Sequence, residues 1–200
     1  MSSSFYAMLS RMEYIKRWAL MRNSESENIS EHSLEVSMLA HGLAILGNRR
    51  LGKHLDADRC AVIGLYHDAG EILTGDMPTP IKYYNRQIAS VFHDIEDDAS
   101  NMLLAMLPED IREDYRGVFF RAEGEEELWR IVKAADKISA LIKCIEEAKA
   151  GNREFDSAAK TLEAAIHALQ VPEAELFLTE FLPAYYRTLD ELSSQANETV

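Results

Sequence analysis

Apolar residues recur at intervals of three and four along most of the chain, the spacing of one face of an α-helix. The segment Glu125–Ala150 shows this spacing most clearly. Its recurring apolar residues are Leu128, Ile131, Val132, Ala135, Ile138, Leu141, Ile142 and Ile145. The run Cys60–Tyr66 is apolar almost throughout, which predicts the central helix of a bundle. Because no segment has the period-two alternation of a strand, the pattern predicts an all-α fold.

Turn and capping residues divide this pattern into helical segments. We predict helices over 5–20, 30–46, 57–69, 81–107, a short stretch after Pro108, 125–150, 155–169 and 173–192. Ser30 is the predicted N-cap of the second helix, Gly47 its end, and Pro183 a kink in the last. The chain of 200 residues is expected to form a single domain over 1–200, with a loose tail at 193–200.

The stretch 66–80 concentrates polar chemistry beside an apolar helix. Besides Tyr66, its ionisable and hydroxyl-bearing groups are His67, Asp68, Glu71, Thr74, Asp76 and Thr79. Glu71 follows His67 by four residues, on the same face if the helix continues, and Gly75, Pro78 and Pro80 then favour a loop. Ionisable groups next to a core are costly unless they are paired or bind a metal. This stretch is therefore the candidate functional centre.

Two distant residues complete a possible metal-ligand set. His32 lies upstream and Asp136 downstream, each in a predicted helix. The order His, His-Asp, Asp resembles the HD phosphohydrolase superfamily, which implies an HD-domain helical bundle in which His32, His67, Asp68 and Asp136 hold one divalent metal ion. Mixed nitrogen and oxygen ligands suit Co²⁺, Mn²⁺ or a similar transition metal. Four protein ligands leave positions open for water and a phosphate oxygen, so the implied chemistry is phosphate-ester hydrolysis.

A closer resemblance extends over nearly the whole chain. The segments Arg17-Trp18, 31–33, 67–71, 74–80 and 133–136 are similar to the bacterial 5′-deoxynucleotidases of the YfbR type. The resemblance implies hydrolysis of deoxyribonucleoside 5′-monophosphates by a homodimer, with Arg17 and Glu71 catalytic. From that family resemblance, Arg17 is expected to orient the phosphate and Glu71 to transfer a proton to the leaving oxygen or position water. The implied substrate-binding residues are Arg17, Trp18, His32, Asp68, Asp76, Met77, Pro78 and Thr79.

Composition narrows the possible partners. The formal net charge of −13 argues against binding a long nucleic acid, which requires many Lys and Arg contacts. No apolar run is long enough to span a membrane and no secretory signal is visible, so a cytoplasmic protein is expected. A second His-Asp dipeptide, His93-Asp94, lies among charged residues and is predicted to be a solvated helix face.

Two alternatives remain open on the sequence alone. The same metal site could act on a deoxynucleoside triphosphate, a cyclic nucleotide or ppGpp, although a triphosphate or ppGpp site would need more basic residues than Arg17, Arg22 and Lys82. The chain could also be a non-catalytic, metal-stabilised helical interaction module. That alternative predicts closed coordination and no turnover.

Overall fold

The computed structural model describes residues 2–82 and 84–198, and the predicted all-α fold is confirmed. Its α-helices are α1 (Phe5–Leu9), α2 (Ile29–Arg50), α3 (Ala57–Tyr66), α4 (Glu71–Thr74), α5 (Thr79–Lys82), α6 (Arg86–Ala105), α7 (Glu109–Phe119), α8 (Glu126–Lys149), α9 (Asp156–Leu169), α10 (Pro172–Glu180) and α11 (Leu189–Glu198). Short 3₁₀ helices cover Ser10–Tyr14, Arg153–Phe155 and Leu182–Tyr186. The extended pairing found in the described residues is one isolated bridge between Lys16 and Asn28. None of the described helices is long and apolar enough to cross a membrane.

The central helix of the bundle is α8, not α3 as the sequence predicted. Helix α8 packs against α2, α3 and α9, and it buries even Lys143 and Glu147. Helix α3 instead leaves Val62 and Leu65 exposed on its outer side. The prediction was wrong because an apolar run does not tell which of its faces is covered by a neighbour.

Helices α2 and α3 approach closely at a glycine. A Cβ atom added to Gly64 would lie 3.0 Å from the Cα atom of Ser37. The missing side chain lets the two backbones pack together. This contact fixes the end of α3 against the first half of α2.

The first predicted helix is much shorter than the spacing indicated. Helical structure ends at Tyr14, and Ile15 is extended. The chain then pairs with Asn28 through Lys16, so that Arg17 and Trp18 lie on a loop rather than on a helix. Trp18 has a φ of 58°, in the left-handed region that non-glycine residues rarely adopt.

The N-cap of α2 lies two residues earlier than predicted, and the helix ends later. Its N-cap is Asn28, whose side chain accepts hydrogen bonds from the backbone N–H groups of Ser30 and Glu31. Glu31 returns a bond to the backbone of Asn28, and this capping box outweighs Ser30 as a start signal. The helix also continues through Gly47 to Arg50. As a result, His32 lies a full turn inside the helix and is completely buried, not near a solvent-facing end.

The remaining differences concern element ends. The predicted helix 81–107 starts at Arg86, where Asn85 caps it, and the preceding loop contains α4 and α5. The last predicted helix is interrupted by the 3₁₀ turn Leu182–Tyr186, which contains the predicted kink at Pro183. The tail predicted to be loose is helical as far as Glu198, and residues 199–200 lie outside the described residues.

Candidate active site

Three helices and one turn bring the four predicted metal ligands together. His32 comes from α2, His67 caps the end of α3, Asp68 follows it in a turn, and Asp136 comes from α8. One ligand atom from each of His32, His67 and Asp68 can be chosen so that all lie within 4.8 Å of one another. His32 Nε2 lies 3.2 Å from Asp136 Oδ1 and 3.5 Å from Asp68 Oδ2. The packing of α2, α3 and α8 therefore gathers residues that are far apart in the sequence.

The opposite nitrogen of each imidazole is held by an oxygen atom. His67 Nδ1 donates to the carbonyl oxygen of Gly64 at 2.7 Å. His32 Nδ1 donates to Ser139 Oγ at 3.0 Å, and Ser139 Oγ in turn donates to Glu35 Oε2 at 2.5 Å. Both Nδ1 atoms therefore carry hydrogen, and both Nε2 atoms face the cluster, where they are placed to bind a cation.

The charges of the cluster shift the pKa values of its members. Burial lowers the pKa of His67, but the neighbouring Asp68 carboxylate outweighs burial and raises this pKa to about 9. Burial raises the pKa of Asp68, but His67, His32 and Arg17 hold it well below its usual range. The pKa of Asp136 is lowered in the same way, against burial, chiefly by His32. The two aspartates are therefore anionic and attract a cation.

Glu71 is the buried carboxyl group next to this cluster. It begins α4, and its Oε2 atom is buried without a hydrogen-bond partner among the described residues. Burial, reinforced by the charges of Asp68 and Asp76, raises the pKa of Glu71 to about 10. In the metal-free protein this group therefore carries a proton at neutral pH and can donate it.

Arg17 and Trp18 lie at the edge of a cavity of about 550 Å³ that reaches Asp136. Arg17 Nη1 donates to Glu27 Oε2 at 2.9 Å, and the guanidinium also lies in the field of Asp68, Asp136 and Asp76. Burial lowers the pKa of Arg17, but these carboxylates outweigh it and raise the pKa. The guanidinium is therefore a permanent positive charge facing the cavity.

The loop after α4 forms another wall of the same cavity. Asp76, Met77 and Pro78 line it, while the side chain of Thr79 lies outside the described part of the chain. Asp76 accepts a hydrogen bond from the backbone of Trp18. Burial raises the pKa of Asp76, and Arg17 opposes that rise. The loop therefore presents a carboxylate and an apolar rim to a bound molecule.

The chain is similar in sequence to a known protein family over most of its length. Residues 4–185 match the family described as 5′-deoxynucleotidase YfbR-like. The chain belongs to this family. It is 48% identical to a 5′-deoxynucleotidase of Vibrio vulnificus strain YJ016 over 96% of this chain and 98% of that protein. It is 45% identical to the 5′-deoxynucleotidase YfbR of Salmonella paratyphi B over 97% and 98% of the two chains.

Solved structures show the same HD fold. An HD-domain phosphohydrolase from Listeria innocua superposes with a TM-score of 0.81 at 20% identity, covering 98% of both chains. The HD phosphohydrolase of cyanophage S-2L, solved with dA and one catalytic Zn²⁺ ion, superposes with a TM-score of 0.65 at 20% identity. The alignment with the cyanophage protein covers 91% of this chain and 96% of that one. The YfbR-like chain therefore has the fold of the HD phosphohydrolases.

The cluster in this YfbR-like chain has the donor set of a divalent metal site. His67 Nε2 is buried without a hydrogen-bond partner, 3.2 Å from an Asp68 oxygen. In the metal-free protein a proton on Nε2 balances the charge of Asp68, in keeping with the raised pKa of His67. A bound cation would take the place of that proton. Two imidazole nitrogens and two carboxylates also match the preference of borderline divalent ions. The residues present therefore fit a divalent metal ion.

Sequence reasoning missed three polar residues around the site and one wall of the cavity. Glu27, Glu35 and Ser139 each contact a predicted site residue. Glu35 and Ser139 stand three positions after His32 and Asp136, so helical spacing could have indicated them. Glu27 carried no such signal, because its contacts depend on a loop. The missed wall comes from α9 and contains Ser157, Ala158, Thr161 and Leu162.

Proposed function

We propose that the chain is a metal-dependent 5′-deoxynucleotidase that hydrolyses deoxyribonucleoside 5′-monophosphates to deoxynucleoside and phosphate. The observation that carries the proposal is the position of one cavity, which joins Asp136 of the ligand cluster to Arg17 and Trp18. The cavity volume of about 550 Å³ falls within the range of small-molecule sites. Membership of the YfbR-like family gives the proposal its substrate class.

Each residue has a distinct role in the proposed reaction. His32, His67, Asp68 and Asp136 hold one divalent ion, which when bound supplies the Lewis-acid charge that polarises the phosphate. Arg17 binds phosphate oxygens, because a guanidinium can donate to two oxygens at once. A water oxygen bonds to phosphorus as the bond to the 5′ oxygen breaks, and Glu71 donates its proton to that departing oxygen, so that the products are the nucleoside alcohol and phosphate. General acid catalysis of this kind contributes about 10²–10⁴-fold.

Residues beside the proposed phosphate position determine which sugar the site accepts. We infer that Asp76 accepts a hydrogen bond from the 3′-hydroxyl and that Trp18 closes the space a 2′-hydroxyl would need. Met77, Pro78 and Thr79 complete this side of the site, with His32 and Asp68 close to the phosphate. We further propose that Co²⁺ or Mn²⁺ is the working ion and that the enzyme is cytoplasmic.

A homodimer is the proposed assembly, and an apolar surface on α2 and α3 supports it. Leu34, Met38 and Ile45 follow one another at helical spacing on α2 and are 54%, 61% and 41% exposed. Val62 and Leu65 are exposed on the neighbouring α3. Contiguous exposed apolar side chains mark interaction surfaces. Light scattering is expected to give twice the chain mass of 22.7 kDa, and a mass of one chain would contradict this assembly.

Phosphate release tests the proposed activity. The protein is stripped of metal with a chelator, supplied with Co²⁺ or Mn²⁺, and assayed with dAMP, AMP and dATP. We expect release from dAMP only after metal is restored, and little from AMP or dATP. His67→Ala should abolish release, whereas His93→Ala should not, because His93 belongs to the second, exposed His-Asp dipeptide on α6. Absence of release from every nucleotide would contradict the proposal.

A further inference from the structure

Glu27 contacts both residues that form the phosphate and sugar side of the cavity. Its Oε2 atom accepts a hydrogen bond from Arg17 Nη1 and another from Trp18 Nε1, each at 2.9 Å. The side chains of Glu27 and Arg17 are each only 12% exposed. One partly buried carboxylate oxygen therefore sets the distance between a guanidinium and an indole ring.

Trp18 needs such a restraint because its backbone is strained. Its φ of 58° is uncommon for a residue with a side chain, and strained residues persist only where surrounding contacts determine them. Besides Glu27, the indole ring packs edge-on against Phe155, with 5.2 Å between the ring centroids. The carbonyl oxygen of Trp18 also accepts a hydrogen bond from the side chain of Asn23. These contacts hold the ring at the cavity edge rather than in solvent.

The segment that carries Glu27 is itself fixed to the central helix. Glu147 Oε2 accepts from the backbone N–H of Ser24 at 2.8 Å, and Lys143 Nζ donates to the carbonyl oxygen of Glu25 at 2.6 Å. Both side chains belong to α8, the helix that also carries Asp136. Glu27 is therefore held in a fixed relation to the metal-ligand cluster.

Arg17 also needs a partner that is not the substrate. The carboxylates of Asp68, Asp136 and Asp76 all attract its charge. Without a restraint, the guanidinium could pair with one of them and leave the phosphate position. The bond to Glu27 occupies one of the five N–H donors of a guanidinium, so the others remain for phosphate oxygens.

We propose that Glu27 is a positioning residue that determines sugar specificity, because its carboxylate holds Arg17 and Trp18 in the arrangement that accepts a deoxynucleotide and rejects a ribonucleotide. This inference rests on the proposed nucleotidase activity. Glu27 acts through the two side chains and does not itself touch the substrate.

The first test compares dAMP with AMP in Glu27 variants. Glu27→Ala is expected to raise KM for dAMP and to lower the ratio of kcat/KM for dAMP over AMP by about tenfold or more, since two hydrogen bonds to a charged group are lost. Glu27→Gln keeps an acceptor oxygen and should retain most of that ratio. Glu25→Ala is the matched control, because Glu25 is exposed on the same segment and should leave the ratio unchanged.

A double-mutant cycle separates specificity from general damage. If Glu27 acts through Trp18, adding Glu27→Ala to Trp18→Ala should change the dAMP-to-AMP ratio little further. Metal affinity, measured by titration calorimetry, should stay at the wild-type value in Glu27→Ala. An equal loss of activity on both nucleotides in a folded Glu27→Ala protein would overturn the proposal.

A fluorescence measurement tests the inference without any turnover. In a Trp129→Phe background, Trp18 is the one remaining tryptophan. Glu27→Ala should increase quenching of Trp18 by acrylamide, whereas Glu25→Ala should not. Unchanged quenching would overturn the role of Glu27 even in an active enzyme. Increased quenching in a protein that releases no phosphate from dAMP would instead contradict the nucleotidase activity alone.

Discussion

The contact between His32 and Ser139 makes a quantitative prediction about metal affinity. Ser139 is fully buried, and its hydroxyl joins His32 Nδ1 at 3.0 Å to Glu35 Oε2 at 2.5 Å. Ser139→Ala removes this oxygen and leaves the N–H of a completely buried imidazole without its acceptor. The ring can then rotate, and its Nε2 lone pair is no longer directed at the metal position.

The expected loss of metal affinity can be taken from comparable metal sites. Removing a partner that orients a metal-binding histidine costs about 10–100-fold in metal affinity, which corresponds to about 1.4–2.8 kcal/mol. The unpaired donor also lowers the free energy of unfolding, by about 1–3 kcal/mol. Both losses should appear in Ser139→Ala, and the affinity loss should appear with either Co²⁺ or Mn²⁺.

Ser33→Ala provides a matched control. Ser33 is the next residue after His32, it is 1% exposed, and its hydroxyl has no hydrogen-bond partner among the described residues. Both variants therefore remove one buried hydroxyl, but only the Ser139 hydroxyl bonds to the imidazole of His32. Competition against a chelator of known affinity measures the dissociation constants. Equal metal affinities for Ser139→Ala, Ser33→Ala and the wild type would refute the orienting role of Ser139.

Three further variants test the proton donor Glu71 and the packing of α2 against α3. Glu71→Gln should lose about 10²–10⁴-fold in kcat while still binding metal; wild-type kcat in that variant would contradict the role of Glu71. The wild-type carboxyl has a pKa of about 10 in the folded protein and 4.5 when unfolded, so the folded protein loses stability as the pH rises between those values. Metal-free Glu71→Gln should therefore melt at a higher temperature than the metal-free wild type at pH 8 but not at pH 4. Gly64→Ala should destabilise the protein by about 1–3 kcal/mol, because the new methyl group meets the backbone of Ser37. Gly42→Ala, where a Cβ meets nothing within 4 Å, should instead stabilise α2 by about 1 kcal/mol; equal melting temperatures for the two alanine variants would contradict the packing account.

The fold class could be predicted because it depends on local periodicity. Apolar residues at intervals of three and four in Glu125–Ala150 predicted α8 to within one residue at each end. The helix after Pro108 was also correct, and it covers Glu109–Phe119. Element ends were less predictable where two start signals compete, as Asn28 and Ser30 do. Which helix is central depends on contacts between elements, which no single helix pattern contains.

The site was predictable to the extent that its residues are marked by their neighbours in the sequence. The predicted metal-ligand set came from a motif order. The structure places His32, His67 and Asp68 close to one another, with Asp136 3.2 Å from His32. The loop position of Arg17 and Trp18 was missed, because apolar residues at near-helical spacing continue through that stretch. The partnership of Glu27 with both residues arises from a chain reversal between Lys16 and Asn28, which has no local signature.

The most direct test of the metal site is an anomalous difference map from crystals grown with Co²⁺. The account predicts one strong peak within about 2.0–2.2 Å of His32 Nε2, His67 Nε2 and one oxygen each of Asp68 and Asp136. A map in which the ion is absent from the cluster, or in which either His32 or Asp136 lies out of bonding distance, would contradict it.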